Sequence, residues 1–168
     1  AIGTAAVLGV GVAAALWWIY FDVVALVSAQ RLIEAEPGRE QNTLARDSYT
    51  YIHVLLVAGI VLAAFGMKTV LAHTGEHLDW VTAFALLGGI ALYLFGLVVL
   101  RWRHVRTLNR HKPILAAVFV VLIPVASAIP GLLTLATATA LLALLVILEH
   151  AGYDERRERL RAHNTLIG

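Results

Sequence analysis

The chain has 168 residues, of which 60% are hydrophobic and 14% charged, against about 45–50% and 25% in ordinary soluble domains. That balance excludes a soluble helical bundle, whose helices keep a polar face. The formal net charge of +2 would admit a nucleic acid as partner, but the cations sit at the ends of apolar segments rather than along one face, so none is expected. The absence of cysteine removes disulfides, iron–sulfur clusters and thiol chemistry.

Five apolar segments follow one another, at roughly 2–27, 49–71, 80–100, 114–128 and 132–148. Each is close to the ~20 residues that cross a ~30 Å hydrocarbon core. The first carries a row of small residues at Ala5, Gly9 and Ala13, and passes through Trp17, Trp18, Tyr20 and Phe21 to Asp22. The connection at 30–47 is the only long one; it mixes charges of both signs around Pro37 and Gly38, as a solvated loop does. The second segment opens with Tyr51 and His53 and continues through Gly59, Ala63 and Gly66. The third holds Ala85, Gly88, Gly89 and Gly96, a small-residue seam that lets helix backbones approach closely in lipid, with Tyr93 among them. Three such seams place these helices at the centre of a bundle. The fourth segment is expected to kink at Pro124 and to return into the fifth through Ile129, Pro130 and Gly131. This last hairpin reads as structural. In the tail, Glu155 and Arg159, and Glu158 and Arg161, have the spacing of helical charge pairs.

Twelve of the thirteen lysines and arginines fall on alternate connections, 30–47 and 101–112, and in the tail; Lys68 is the exception. By the positive-inside rule those connections are cytoplasmic. The expected fold is an all-α, polytopic transmembrane bundle of about five spans in the inner cell membrane, N-terminus outside and C-terminus cytoplasmic. Residues 1–150 form the membrane domain and 151–168 a cytoplasmic tail. The start at Ala1, inside an apolar run and without Met, reads as a fragment of a longer membrane protein.

Ionisable groups inside spans are functional-site candidates by default. Asp22 shares a helical face with Gly11, Ala15, Trp18 and Ala25, mostly small residues, and so is expected to face other helices. The competing reading makes Trp17, Trp18, Tyr20 and Phe21 an interfacial aromatic belt, with Asp22 at headgroup level. His53 enters the second span from the same side at comparable depth. A carboxylate beside an imidazole would hold it charged, as in a proton relay or cation site, and Tyr93 could complete the polar path. A histidine near a helix end is more often a satisfied interfacial residue. In the outer loop, His73, Glu76 and His77 fit the H-x-x-E-H zinc pattern. Gly75 interrupts the helix this motif requires, so no metal site is expected, and no cofactor. Nucleotide-binding and hydrolase fingerprints are missing, and the chain is not expected to be an enzyme.

The string Leu16-Trp17-Trp18-Ile19-Tyr20-Phe21-Asp22 resembles the L-W-W-x-Y-F-D signature of the bacterial low temperature requirement A proteins. Later features resemble the C-terminal half of that family in the same order: Tyr51 and His53, Gly59 and Gly66, the His73 loop, then Gly88, Gly89 and Tyr93 before an arginine cluster. The resemblance implies a membrane protein with further helices before this point. It also implies a role in transport that has been supposed for the family, with Trp17, Trp18, Tyr20, Phe21, Asp22, Tyr51 and His53 as the matching motif residues.

Two functions are therefore expected as alternatives. One is a proton- or cation-linked small-solute transporter with Asp22 and His53 on a polar path. The other is a non-transporting accessory subunit whose glycine seams bind other helices. The expected partners are the lipid bilayer and the remaining helices of a longer chain or of another membrane subunit, with a homo-oligomer left open.

Overall fold

The structure, a computed structural model, describes residues 1–21, 52–105 and 110–165, with side chains at 1–21, 52–102 and 110–151. Among these residues there are five helices and no strand. Helix α1 is Ile2–Ile19 and α2 is His53–Ala72. A third helix runs without interruption through Trp80–Ala83, a π-helical turn at Phe84–Gly88 and Gly89–Val105, together α3. Helix α4 is His111–Ala126 and α5 is Gly131–Thr165. Four of them carry apolar stretches long enough to cross a membrane: Ile2–Ile19, His53–Ala72, Trp80–Trp102 and Gly131–Ala151. Helix α4, with 16 residues, reaches about 24 Å at 1.5 Å per residue and is shorter than a full span. The last apolar segment and the expected tail helix are one continuous helix of 35 residues.

Why these residues form helices is plain from their chemistry. Runs of leucine, alanine and valine offer no polar side chain to compete for backbone hydrogen bonds, and in lipid the helix satisfies those bonds internally. Pro113 falls in the first turn of α4, where its missing N–H costs nothing, whereas Pro124 lies inside the helix. Asp79 starts α3. Its carboxylate accepts from the amides of Val81 (3.0 Å) and Thr82 (3.3 Å) and from the Thr82 hydroxyl, filling the role of an N-cap. The Thr82 hydroxyl, helped by those amides, holds the Asp79 carboxyl below the usual carboxylate range.

Helix α3 lies at the centre, between α2 and α4, and α1 lies along α5. Within the apolar stretch of α3 67% of residues are buried, against 22%, 28% and 33% for α1, α2 and α5. The α2–α3 crossing is built on glycine. A Cβ on Gly59 would stand 2.7 Å from the carbonyl oxygen of Gly89 and from the amide of Tyr93, and one on Gly89 would stand 2.5 Å from the amide of Ala63. Gly66 meets the backbone of Leu86 just as closely, at the π-helical turn. These are backbone contacts that only glycine allows. Gly96 faces the side chain of Leu56, and Ala85 is buried, while Gly88 is half-buried and meets the ring of Phe84 on its own helix.

The first helix packs differently from its expected row. Ala5, Val12, Leu16 and Ile19 are its buried residues, Ala13 is exposed, and Gly9 has only Met67 at ordinary distance. Its close approach uses Gly11, where a Cβ would stand 2.9 Å from the Thr139 methyl of α5. The Thr139 hydroxyl bonds the Leu8 carbonyl at 3.2 Å and its own helix at Leu135 at 2.8 Å. Gly9 and Gly11 are both small, and spacing alone does not tell which face meets a neighbour.

At the end away from the arginines, the two short connections are tied together. The Gly131 amide donates to the Glu76 carbonyl at 2.9 Å, and His77 bridges to Pro130. The start of α5 is thereby fixed to the loop that precedes α3.

Candidate functional site

The end of α1 and the start of α2 meet at the arginine end of the bundle. Tyr20 and His53 are half-buried there and form one hydrogen bond, phenol oxygen to His53 Nε2, at 2.8 Å. Their rings meet edge to face, with centroids 5.8 Å apart and planes at 81°. Either the phenol donates to the imidazole or the ring N–H donates to the phenol oxygen; the tautomer decides.

Tyr93 ties α3 into the same place. Its backbone packs on Gly59 of α2, and its hydroxyl donates to the Leu16 carbonyl of α1 at 2.8 Å. That carbonyl also accepts the Tyr20 amide of its own helix. Three helices are joined within two turns of α1 by three polar side chains, Tyr20, His53 and Tyr93. Glycine at Gly59 is what brings α3 close enough for the Tyr93 phenol to reach α1.

Trp17, Trp18 and Phe21 lie on the other side of this end of α1, exposed. Trp17 and Phe21 meet one turn apart with ring centroids 5.2 Å apart and planes tilted by 37°, and Phe21 meets Tyr20 edge to face at 4.9 Å. Outward-facing rings at a helix end have the placement of an interfacial belt. The aromatic string therefore divides: Tyr20 turns inward to His53, and the two tryptophans turn outward. Asp22 and Tyr51 lie outside the described residues, so the Asp22–His53 pairing lies outside them too.

In the loop after α2, His73, Glu76 and His77 are exposed, and Asp79 is occupied as the α3 cap. Among the described residues, no group of three or more His, Cys, Asp or Glu side chains is placed to hold a metal ion.

Sequence reasoning passed over one feature entirely. Lys112 at the start of α4 and Glu149 of α5 form a buried ion pair, with side-chain exposures of 1% and 7%. A signal existed. Lys112 and Glu149 stand almost equidistant from the Pro130 turn, so a hairpin brings them together at its open end.

With the geometry in place, comparison with known proteins identifies the fold's relatives. The sequence profile of the bacterial low temperature requirement A protein (LtrA) matches residues 1–147. The chain belongs to the LtrA family. A protein of Rhizobium meliloti (strain 1021), named only as uncharacterized, is 36% identical over 81 residues, which is 48% of this chain and 19% of that relative. The match thus spans about a fifth of that curated relative's length. No solved structure matches the chain. LtrA membership and the apolar helices together make this a multi-pass membrane protein.

Proposed function

We propose that this LtrA-family chain is a module of a proton- or cation-linked small-solute transporter of the inner membrane, not an enzyme, and that Tyr20, His53 and Tyr93 mark its polar path. The observation that carries the reading is the Tyr20–His53 hydrogen bond between α1 and α2. Imidazole is the side chain that takes up and releases a proton near neutral pH, and a hydroxyl bonded to its ring nitrogen is a partner through which that proton can pass. Polar side chains turned into a membrane bundle are costly and mark solute and proton paths. Asp22 follows Tyr20 by two residues in the sequence and enters this reading as the acid of the path. The positive-inside rule puts the arginine end, and with it this cluster, on the cytoplasmic side.

The accessory-subunit reading rested on glycine seams offered to other helices. Gly59, Gly66 and Gly89 are instead consumed by one another's helices within the chain, which favours the transport reading. Lipid and the further helices of a longer protein remain the partners proposed for the exposed faces of α1, α2 and α5.

The test is proton- or cation-coupled flux in proteoliposomes carrying the full-length protein. Asp22→Asn is expected to insert normally and abolish flux, and His53→Gln to abolish it or shift its pH dependence. Tyr20→Phe, which removes one oxygen, should reduce flux at least tenfold. Wild-type vesicles without flux, or variants that all retain it, overturn the reading.

A further inference from the structure

Helices α4 and α5 are joined at both ends. At one end they share the turn through Pro130; at the other, Lys112 and Glu149 pair in the interior. The pair has a demanding position. Lys112 sits in the first turn of α4, where no acidic residue accompanies it and the helix dipole disfavours a cation. Its compensation comes across the interface from Glu149. In lipid the hydrophobic effect does not drive helices together as it does a soluble core, because the tails are as apolar as leucine, and close packing and polar contacts decide instead. The charge pair is thus a specific attraction where apolar contact supplies little.

The opposite end of α4 is its mechanical weak point. Pro124 has no N–H for the Val120 carbonyl, and its ring crowds that group, so bending concentrates there. A cavity of about 20 Å³ lies against this segment, lined by Leu122, Val125 and Ala126 of α4, by Leu87 of α3, and by Thr134 and Ala138 of α5. The buried Thr134 hydroxyl has no hydrogen-bond partner. Close packing ordinarily resists rearrangement; here the packing is open beside the proline.

We propose that α4 is a swinging helix, hinged at Pro124 and latched at its far end by the Lys112–Glu149 pair, so that breaking the pair parts α4 from α5 at the arginine end. Lys112 stands about 18 Å along the helix from Pro124, and a swing of roughly 15° would carry it about 5 Å, enough to separate the charges. This inference concerns motion and stands whether or not the chain conducts.

The chain has no cysteine of its own, so paired spin labels can be introduced within it without removing native thiols from these helices. The measurement is made on the full-length protein in nanodiscs, with any cysteine outside these residues replaced. Labels at the exposed Ile114 and Leu148 span the latch end; labels at the exposed Val125 and Leu133 span the hinge end. The native pair should give narrow distance distributions at both ends. Glu149→Gln and Lys112→Met should lengthen or broaden the Ile114–Leu148 distance by about 5 Å and leave Val125–Leu133 unchanged. The double variant Lys112→Met with Glu149→Leu removes both charges of the pair rather than burying one alone, so it should fold and still open, since apolar contact in lipid does not replace the latch. Adding Pro124→Ala to Glu149→Gln should restore the narrow distance. An unchanged latch-end distance in the double variant overturns the proposal. A double variant that fails to fold also overturns it, because the pair is then a structural anchor.

Discussion

At Tyr20 and His53 a single oxygen atom joins two helices, and substitution can remove that atom alone. Tyr20→Phe keeps the edge-to-face ring contact and deletes the 2.8 Å bond; a neutral hydrogen bond of this kind contributes about 0.5–1.5 kcal/mol. A loss of about 1 kcal/mol in denaturant unfolding, with helix content unchanged and the His53 ring resonances shifted, is the expected result. Tyr93→Phe should cost about as much, because the Leu16 carbonyl keeps its helical donor and no buried acceptor is orphaned. Asp79 gives a pH-dependent counterpart. Its carboxyl is held below the usual range by Thr82. It therefore stabilises the start of α3 at pH values above the ordinary carboxylate pKa of about 4, and that contribution disappears as pH falls through the lowered value. Amide exchange at Val81 and Thr82 should accelerate on acidification in the native protein and be fast at every pH in Asp79→Ala. His53 and Tyr93 were legible in the sequence because each is a polar side chain inside an apolar run. Beyond its place in the family motif, Tyr20 was read as one ring of an aromatic string: such a string looks the same whether its hydroxyl faces lipid headgroups or another helix. Lys112 was read as one more cation of the arginine end, since charge counting along the chain carries no information about depth.

Between helices, the decisive contrast is what a methyl group would strike. At Gly59 and Gly89 it would strike backbone at 2.7 and 2.5 Å, which cannot move without parting α2 from α3. At Gly9 and Gly88 it would meet side chains at 3.7 and 3.5 Å, ordinary contact. Gly59→Ala and Gly89→Ala are each expected to cost about 1–3 kcal/mol as overpacked positions, whereas Gly9→Ala and Gly88→Ala should be neutral or slightly stabilising, since alanine also narrows the unfolded ensemble. Thermal unfolding in detergent distinguishes the two sets, and equal tolerance would contradict the α2–α3 crossing described above. The central place of the third helix was legible because its small residues recur at helical spacing. The pairing of α1 with α5 was not. It depends on Gly11 receiving the Thr139 methyl across most of the chain's length, and no local pattern announces a contact so distant in sequence. The π-helical turn was equally hidden, since Phe84–Gly88 has nothing in its composition that separates it from the α-helical residues around it.

For the molecule as a whole, the two arginine-poor connections must share a side, because Gly131 is hydrogen-bonded to Glu76. Reporter fusions near Gly75 and Gly131 are expected to read external, and fusions after Gly38, Arg110 and Asp154 cytoplasmic; a cytoplasmic signal at Gly75 would reverse the assigned orientation. The succession of apolar segments made the all-helical, membrane-spanning architecture legible in the sequence, since hydrocarbon imposes helix and length together. The length of the last helix was less legible, because its apolar and charged halves look like two elements. Helix α5 has 35 residues, about 52 Å at 1.5 Å per residue, while the hydrocarbon core is ~30 Å thick. It therefore acts as a lever that crosses the bilayer boundary without a joint. Glu149 and the arginine-bearing tail lie on this one rod, so a torque applied to the tail by anything that grips it is delivered to the carboxylate that holds Lys112.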